Sequence, residues 1–163
     1  MASFTLPADP PVAIDRHRDY ADAFATLIAS ARRTLWLAED DFRIADLGSR
    51  AVCDALWAFF VHGGELKLAA WRTGYLASDA PRFIQLRDRF GHRMQLLRVA
   101  EDCGLAAQGL AIADAQHYLK RHHADWPHGE LGSSAANVAL LQQQFDELWV
   151  NARPESAWNR LYI

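Results

Sequence analysis

Cysteine and lysine are scarce in this chain of 163 residues. Cys53 and Cys103 are too few and too far apart for a disulfide framework or a four-cysteine zinc site, so a reducing, cytoplasmic setting is the expectation. Lys67 and Lys120 are the only lysines, and the other fifteen basic residues are arginines. No apolar run approaches the ~20 residues of a membrane span. Met1–Pro10 lacks the basic head and apolar middle of a signal peptide. The spaced-glycine dinucleotide fingerprint, the Gly-x4-Gly-Lys-Ser/Thr phosphate loop, the Gly-x-Ser-x-Gly elbow and the His-Glu-x-x-His zinc helix are all missing, which disfavours the enzyme classes built on them. Seventeen basic residues against twenty acidic ones give a net charge of −3. With a pI near 6.1 there is no overall basic footprint, and nucleic acid is disfavoured as a partner.

What is present describes a folded domain. The chain is 51% hydrophobic and 23% charged, with mean hydropathy −0.14. A chain of this length buries about 68–70% of its unfolded surface and needs no covalent staples. Residues 1–15, with Pro7, Pro10 and Pro11, read as an extended N-terminal arm, and 16–163 as a single α/β domain. Tyr20, Phe24, Leu27, Ile28 and Ala31 fall at helical spacing, predicting a helix over 16–31. Thr34–Ala38 reads as a buried strand ended by Glu39-Asp40-Asp41. Ser49 is placed to cap a helix carrying Val52, Leu56, Phe59 and Phe60, stopped at His62-Gly63-Gly64. A strand over 65–71 follows, then a helix begun by Ser78 or Asp79 before Pro81, and a strand over 93–100. Residues 110–115 and 118–123 predict two adjacent strands, 124–132 a loop, and 134–151 a last helix with Val138, Leu141, Phe145, Leu148 and Trp149 along one side. Strands alternating with helices predict an α/β sandwich, a mostly parallel mixed sheet flanked by helices.

Three groups of residues are candidates for function. Four of the seven histidines, His117, His122, His123 and His128, lie near Asp114 and Asp125. Side chains alternate along a strand, so His122 and His123 cannot both join one site, and histidines lining a strand end and loop are expected rather than a metal site. No metal and no cofactor is assigned. Arg82, Arg87, Arg89, Arg93 and Arg98 stand against one acid, Asp88, and form either an anion-binding segment or a solvated helix face. Trp126, beside Pro127 in a loop, is a better binding candidate than Trp149, which sits in a buried helical stripe.

The stretch from 93 to the end, with the element order of the whole chain, resembles one repeat of the phospholipase D superfamily. That family's motif is His-x-Lys-x4-Asp, followed after six residues by Gly-Ser-x-Asn, a loop, and a helix ending near Phe-x-x-x-Trp. Gly109-Leu110-Ala111-Ile112-Ala113-Asp114 looks like the strand ending on the motif aspartate, and Phe145-Asp146-Glu147-Leu148-Trp149 resembles the closing pattern. Counting from Asp114, the nucleophilic histidine position holds Ala107, the lysine position holds Gly109, and Gly-Ser-x-Asn is replaced by Arg121-His122-His123-Ala124. Alanine and glycine can neither attack phosphorus nor hold its oxygens.

The resemblance therefore implies a single degenerate repeat without the family's chemistry, acting as a binding or regulatory module. Active members join two motifs across a pseudo-twofold axis, which implies a homodimer, and the other expected partner is an unknown protein or a small anionic ligand. The alternative is a hydrolase with a relocated site built from Asp114, Lys120, His122 and His128. A further alternative is anion or nucleic-acid binding through 82–98.

Overall fold

A computed structural model describes residues 3–155. Residues 1–2 of the arm and the end of the 16–163 span, 156–163, lie outside the described residues. The N-terminal stretch is extended, and its last part, β1 (Val12–Ile14), pairs antiparallel with β7 (Gly129–Gly132). Ala8 and Ile14 are buried, and Ala8 exchanges hydrogen bonds with Ser133 through N–H to Oγ and Ser133 N–H to carbonyl.

The helices follow the apolar periodicity. In α1 (His17–Ser30), Tyr20, Ala23, Phe24, Leu27 and Ile28 form the buried stripe. The Ser49 side chain accepts from Val52 N–H and starts α2 (Arg50–Val61); Gly63, at φ +90°, ends it in a conformation that disfavours a side chain. Ser134 caps α4 (Ala135–Val150) in the same way through Asn137 N–H. The start of α3 (Pro81–Phe90) departs from expectation. Ser78 and Asp79 belong to a short π-helical turn, Tyr75–Asp79, and the residue at the cap is Ala80, with no side-chain cap. Pro81 occupies the first turn, where a missing N–H costs nothing.

Strands β2 (Thr34–Glu39), β3 (Glu65–Ala70) and β4 (Met94–Val99) are parallel neighbours, with α2 and α3 as crossovers. β5 (Gly109–Ala113) returns antiparallel beside β2 and forms a hairpin with β6 (His117–Arg121). With β8 (Ala152–Arg153), the sheet has eight strands among the described residues, in the order β1-β7-β6-β5-β2-β3-β4-β8. The sheet is mixed and flanked by helices, as expected, but the parallel share is smaller: the other five pairings are antiparallel. β7 lies in the segment expected to be a loop. Its glycines are there because neighbours press on them: a Cβ at Gly129 would strike the Lys120 carbonyl, and one at Gly132 the Tyr118 ring.

Two cores result. Helices α1–α3 cover one face through Leu35, Leu37, Leu66, Leu68, Ala111, Ala113 and Leu119. Helix α4 covers the other through Val138, Leu141, Phe145 and Leu148 against Ala38, Ala69, Leu110, Ile112 and Tyr118. Among the described residues no helix is long and apolar enough to cross a membrane.

Candidate functional site

The carboxyl ends of strands in an open α/β sheet are where ligands are ordinarily held. Here that position at the end of β2 is occupied by the protein's own side chains. Leu35, Leu37 and Glu39 alternate onto the face covered by α1, and so do Leu119 and Arg121 of β6. Strand β5 lies between them, so Glu39 and Arg121 belong to strands roughly 9–10 Å apart. They reach one another over Gly109, which pairs with Arg121 across the β5–β6 hairpin.

Arg121 Nη2 donates to Glu39 Oε1, and Tyr20 Oη from α1 donates to Glu39 Oε2. Arg121 Nη1 donates to the carbonyls of His123 (3.1 Å) and Ala124. The guanidinium also lies over the Tyr20 ring, 5.1 Å from its centroid. The Arg121 and Glu39 side chains are 1% and 2% exposed, so this group is sealed from solvent. Burial pushes the Glu39 carboxyl up from its ordinary range, against the pull of Arg121 and Tyr20. Burial, reinforced by the Glu39 charge, holds the Tyr20 hydroxyl well above its usual value. Burial works to lower Arg121, but Glu39 and Tyr20 together leave it raised.

Gly109 is required by this arrangement. A Cβ there would come closer than 3.0 Å to Glu39 Oε2, Tyr20 Oη and Arg121 Cβ at once. The position expected from the sequence to match the motif lysine therefore meets three side-chain atoms as soon as a Cβ is added. Ala107, expected from the sequence to match the motif histidine, is partly buried and packs against the α4-side core.

The rim is also self-paired. Arg72 makes a two-point contact with Asp40 and reaches Asp41 at 3.5 Å. Arg98 binds Glu101 (2.7 Å) and the Trp71 carbonyl (3.3 Å), with Glu155 at 3.7 Å. Beyond Arg121 the 122–128 loop is closed by His122 N–H donating to the His128 carbonyl. Trp126 is 62% exposed at its tip, between the rings of His123 (5.9 Å) and His128 (6.2 Å).

The structure does not bring the relocated-site residues together. The Asp114 carboxylate accepts from the backbone N–H groups of Arg32 (2.9 Å), Arg33 (2.7 Å) and Thr34 (3.0 Å), tying the β5–β6 turn to the start of β2. His122 and His128 stand at the opposite end of β6, a strand-length of about 16 Å away. Lys120 faces Leu110 and Glu130 on the neighbouring strands. His117 lies near Asp114, but its Nδ1 is engaged by Ser133 Oγ at 2.7 Å, and burial lowers its pKa. Among the described residues, no three His, Cys, Asp or Glu side chains converge as a metal site.

The five arginines of 82–98 do not form one patch either. Arg87 pairs with Asp88 and is 12% exposed. Arg93 bonds the Gly63 carbonyl at one end of β4, and Arg98 the Trp71 carbonyl at the other. Only Arg82 and Arg89, seven residues apart on α3, share a helix face.

Tyr20, Glu39 and Arg121 were not candidates from the sequence. The available signal was Arg121 itself, a permanent cation two residues from Leu119 on a buried strand, which demands a buried partner.

Comparison with known proteins fits this geometry. The fold is phospholipase D-like. Over 88% of its length the chain matches Nuc from Salmonella typhimurium, a phospholipase D family member, with 11% identity and a TM-score of 0.63, covering 97% of that chain. NucT from Helicobacter pylori matches over 89% of this chain and 98% of its own, at 12% identity and TM-score 0.60. TrmBL2, an archaeal chromatin protein described as binding DNA, matches over 91% at 14% identity and TM-score 0.66; the chain spans only 55% of TrmBL2. No curated protein matches by sequence. The chain belongs to the DUF7931 family, a domain of unknown function, whose model matches residues 16–161.

Proposed function

We propose that this protein is a non-catalytic phospholipase D-like domain, a single degenerate repeat that acts as a binding or regulatory module. The observation that carries the reading is the Tyr20–Glu39–Arg121 cluster closing over Gly109. It takes the space at the strand ends, and the positions of the motif histidine and lysine hold Ala107 and Gly109. A nucleophile and a cation that grip phosphorus are not on offer from that cluster: Arg121 is committed to Glu39 and two carbonyls, and the Glu39 and Tyr20 oxygens beside it are hydrogen-bonded to one another and sealed from solvent. The DNA binding described for TrmBL2 is not carried over, because the rim arginines Arg72 and Arg98 are neutralised by Asp40, Asp41, Glu101 and Glu155.

The test is hydrolysis of bis(p-nitrophenyl) phosphate and single-stranded DNA by pure full-length protein. The expected rate equals that of buffer. Turnover that copurifies with the protein and disappears in the soluble, folded variants His122→Ala or His128→Ala would overturn the reading.

A further inference from the structure

The outer surface of the helical layer carries a concavity on elements that take no part in the buried cluster. Helices α2 and α3 pack side by side, and a cavity of about 410 Å³ opens between them. That lies within the roughly 300–1,000 Å³ of small-molecule sites. Arg50, Cys53, Asp54 and Trp57 line it from α2, and Arg82 and Gln85 from α3. These residues recur every three or four positions, so each helix presents one continuous row to the other.

Arg50 and Arg82 set this cavity apart from the rim. Among the described residues neither side chain makes a hydrogen bond or an ion pair, whereas Arg43, Arg72, Arg98 and Arg121 are all paired with carboxylates. Asp54 is the single acid of the lining, and Arg89 adds a third positive charge at the end of the row, its guanidinium lying over the Trp57 ring at 5.1 Å from the centroid, so that stacking by a ligand uses the other face. Trp57 is itself braced edge-on against Phe90, at 5.1 Å, and remains 44% exposed. An indole held in place beside unpaired guanidinium groups matches a ligand with a flat ring at one end and a phosphate at the other: the ring stacks, and the fork of each arginine suits phosphate oxygens. The Cys53 thiol donates to the Leu47 carbonyl at 3.3 Å, and burial pushes it up to about 11, so it forms an inert floor.

We infer that the α2–α3 cavity binds a small phosphomonoester carrying a flat ring, with Arg50 and Arg82 taking the phosphate and Trp57 the ring. This names a ligand class for the binding module proposed above and rests on that reading only for its biological role. Binding here and hydrolysis of phosphodiesters are read by separate assays, so either idea can fail alone.

The experiment is calorimetric titration of the full-length protein with three probes: adenosine 5′-monophosphate, ribose 5-phosphate and adenosine. The expected result is saturable binding of the monophosphate, weaker binding of ribose 5-phosphate, and weakest binding of adenosine. Arg50→Gln and Arg82→Gln each weaken monophosphate binding about tenfold, the loss of one charge-assisted contact. Trp57→Ala brings the monophosphate down to the affinity of ribose 5-phosphate. All three positions lie on the helix surface, and unchanged circular dichroism confirms that the variants fold. Equal binding by wild type and both arginine variants, or no saturable binding of any probe, overturns the inference.

Discussion

Glu39 and Arg121, separated by 82 residues in sequence, form an ion pair whose side chains are 2% and 1% exposed and which bridges two strands that are not neighbours in the sheet. Ion pairs of this kind stabilise little compared with apolar residues of the same volume, yet they are costly to break singly. Glu39→Gln or Arg121→Met should each lower unfolding free energy by about 3–5 kcal/mol in urea denaturation. The double change Glu39→Met, Arg121→Met should recover most of that loss. Additive losses would mean that the two residues act independently.

Gly109 is the space through which that pair meets. Gly109→Ala should cost about 1–3 kcal/mol, as overpacking does in a closed site, and Gly109→Lys, with a far longer side chain in the same space, should abolish soluble folded protein. Thermal melts and soluble yield read both. A fully stable Gly109→Lys protein would show that the cluster can be rearranged.

Burial raises the hydroxyl pKa of Tyr20, Tyr75 and Tyr118 above the ordinary value. A group whose folded pKa exceeds its unfolded one stabilises fully below the unfolded pKa, and the contribution is lost as pH rises toward the folded one. Stability should therefore fall above about pH 10, where unfolded tyrosine ionises. Absorbance at 295 nm should show these tyrosines titrating late. Tyr20→Phe, weaker at pH 7 by about 1–3 kcal/mol through the lost bond to Glu39, should lose less between pH 9 and 11 than wild type.

Ala115 is an exposed residue at φ 55°, next to Asp114 at the same angle. The left-handed region costs a side-chain-bearing residue about 1–2 kcal/mol. Ala115→Gly should raise stability by about 1 kcal/mol and increase the melting temperature. Asp114→Ala should do the opposite, because three backbone N–H groups lose their acceptor.

The long elements were legible in the sequence because each buries one stripe. Tyr20 to Ile28 in α1 and Val52 to Phe60 in α2 are spaced as a half-buried helix requires. The Ser49 cap was legible for the same local reason. The strands that escaped notice, β1, β7 and β8, run for two to four residues and have no periodicity to detect. In β7 the glycines that suggest a loop are answers to pressure from Lys120 and Tyr118, a tertiary cause. The same limit applied at the strand ends. Tyr20 looks like one more member of an apolar stripe, and Glu39 like the polar stop of a strand. Only the β2-β5-β6 order places both beside Arg121. The reason for a glycine at 109 lies in side chains from three other elements, which no local pattern displays.

The two margins of the sheet are finished alike. β1 is preceded by Pro10 and Pro11, β8 is followed by Pro154, and the two strands span three and two residues. Proline donates no backbone N–H, and strands so short offer a template of only a few bonds to a passing chain. An open eight-stranded sheet is otherwise an invitation to grow sideways, into swapped dimers or fibrils. Among the described residues this one is terminated at both sides, so pairing of two copies is expected through helices or loops, and the native protein should stay free of sheet-to-sheet polymerisation at high concentration.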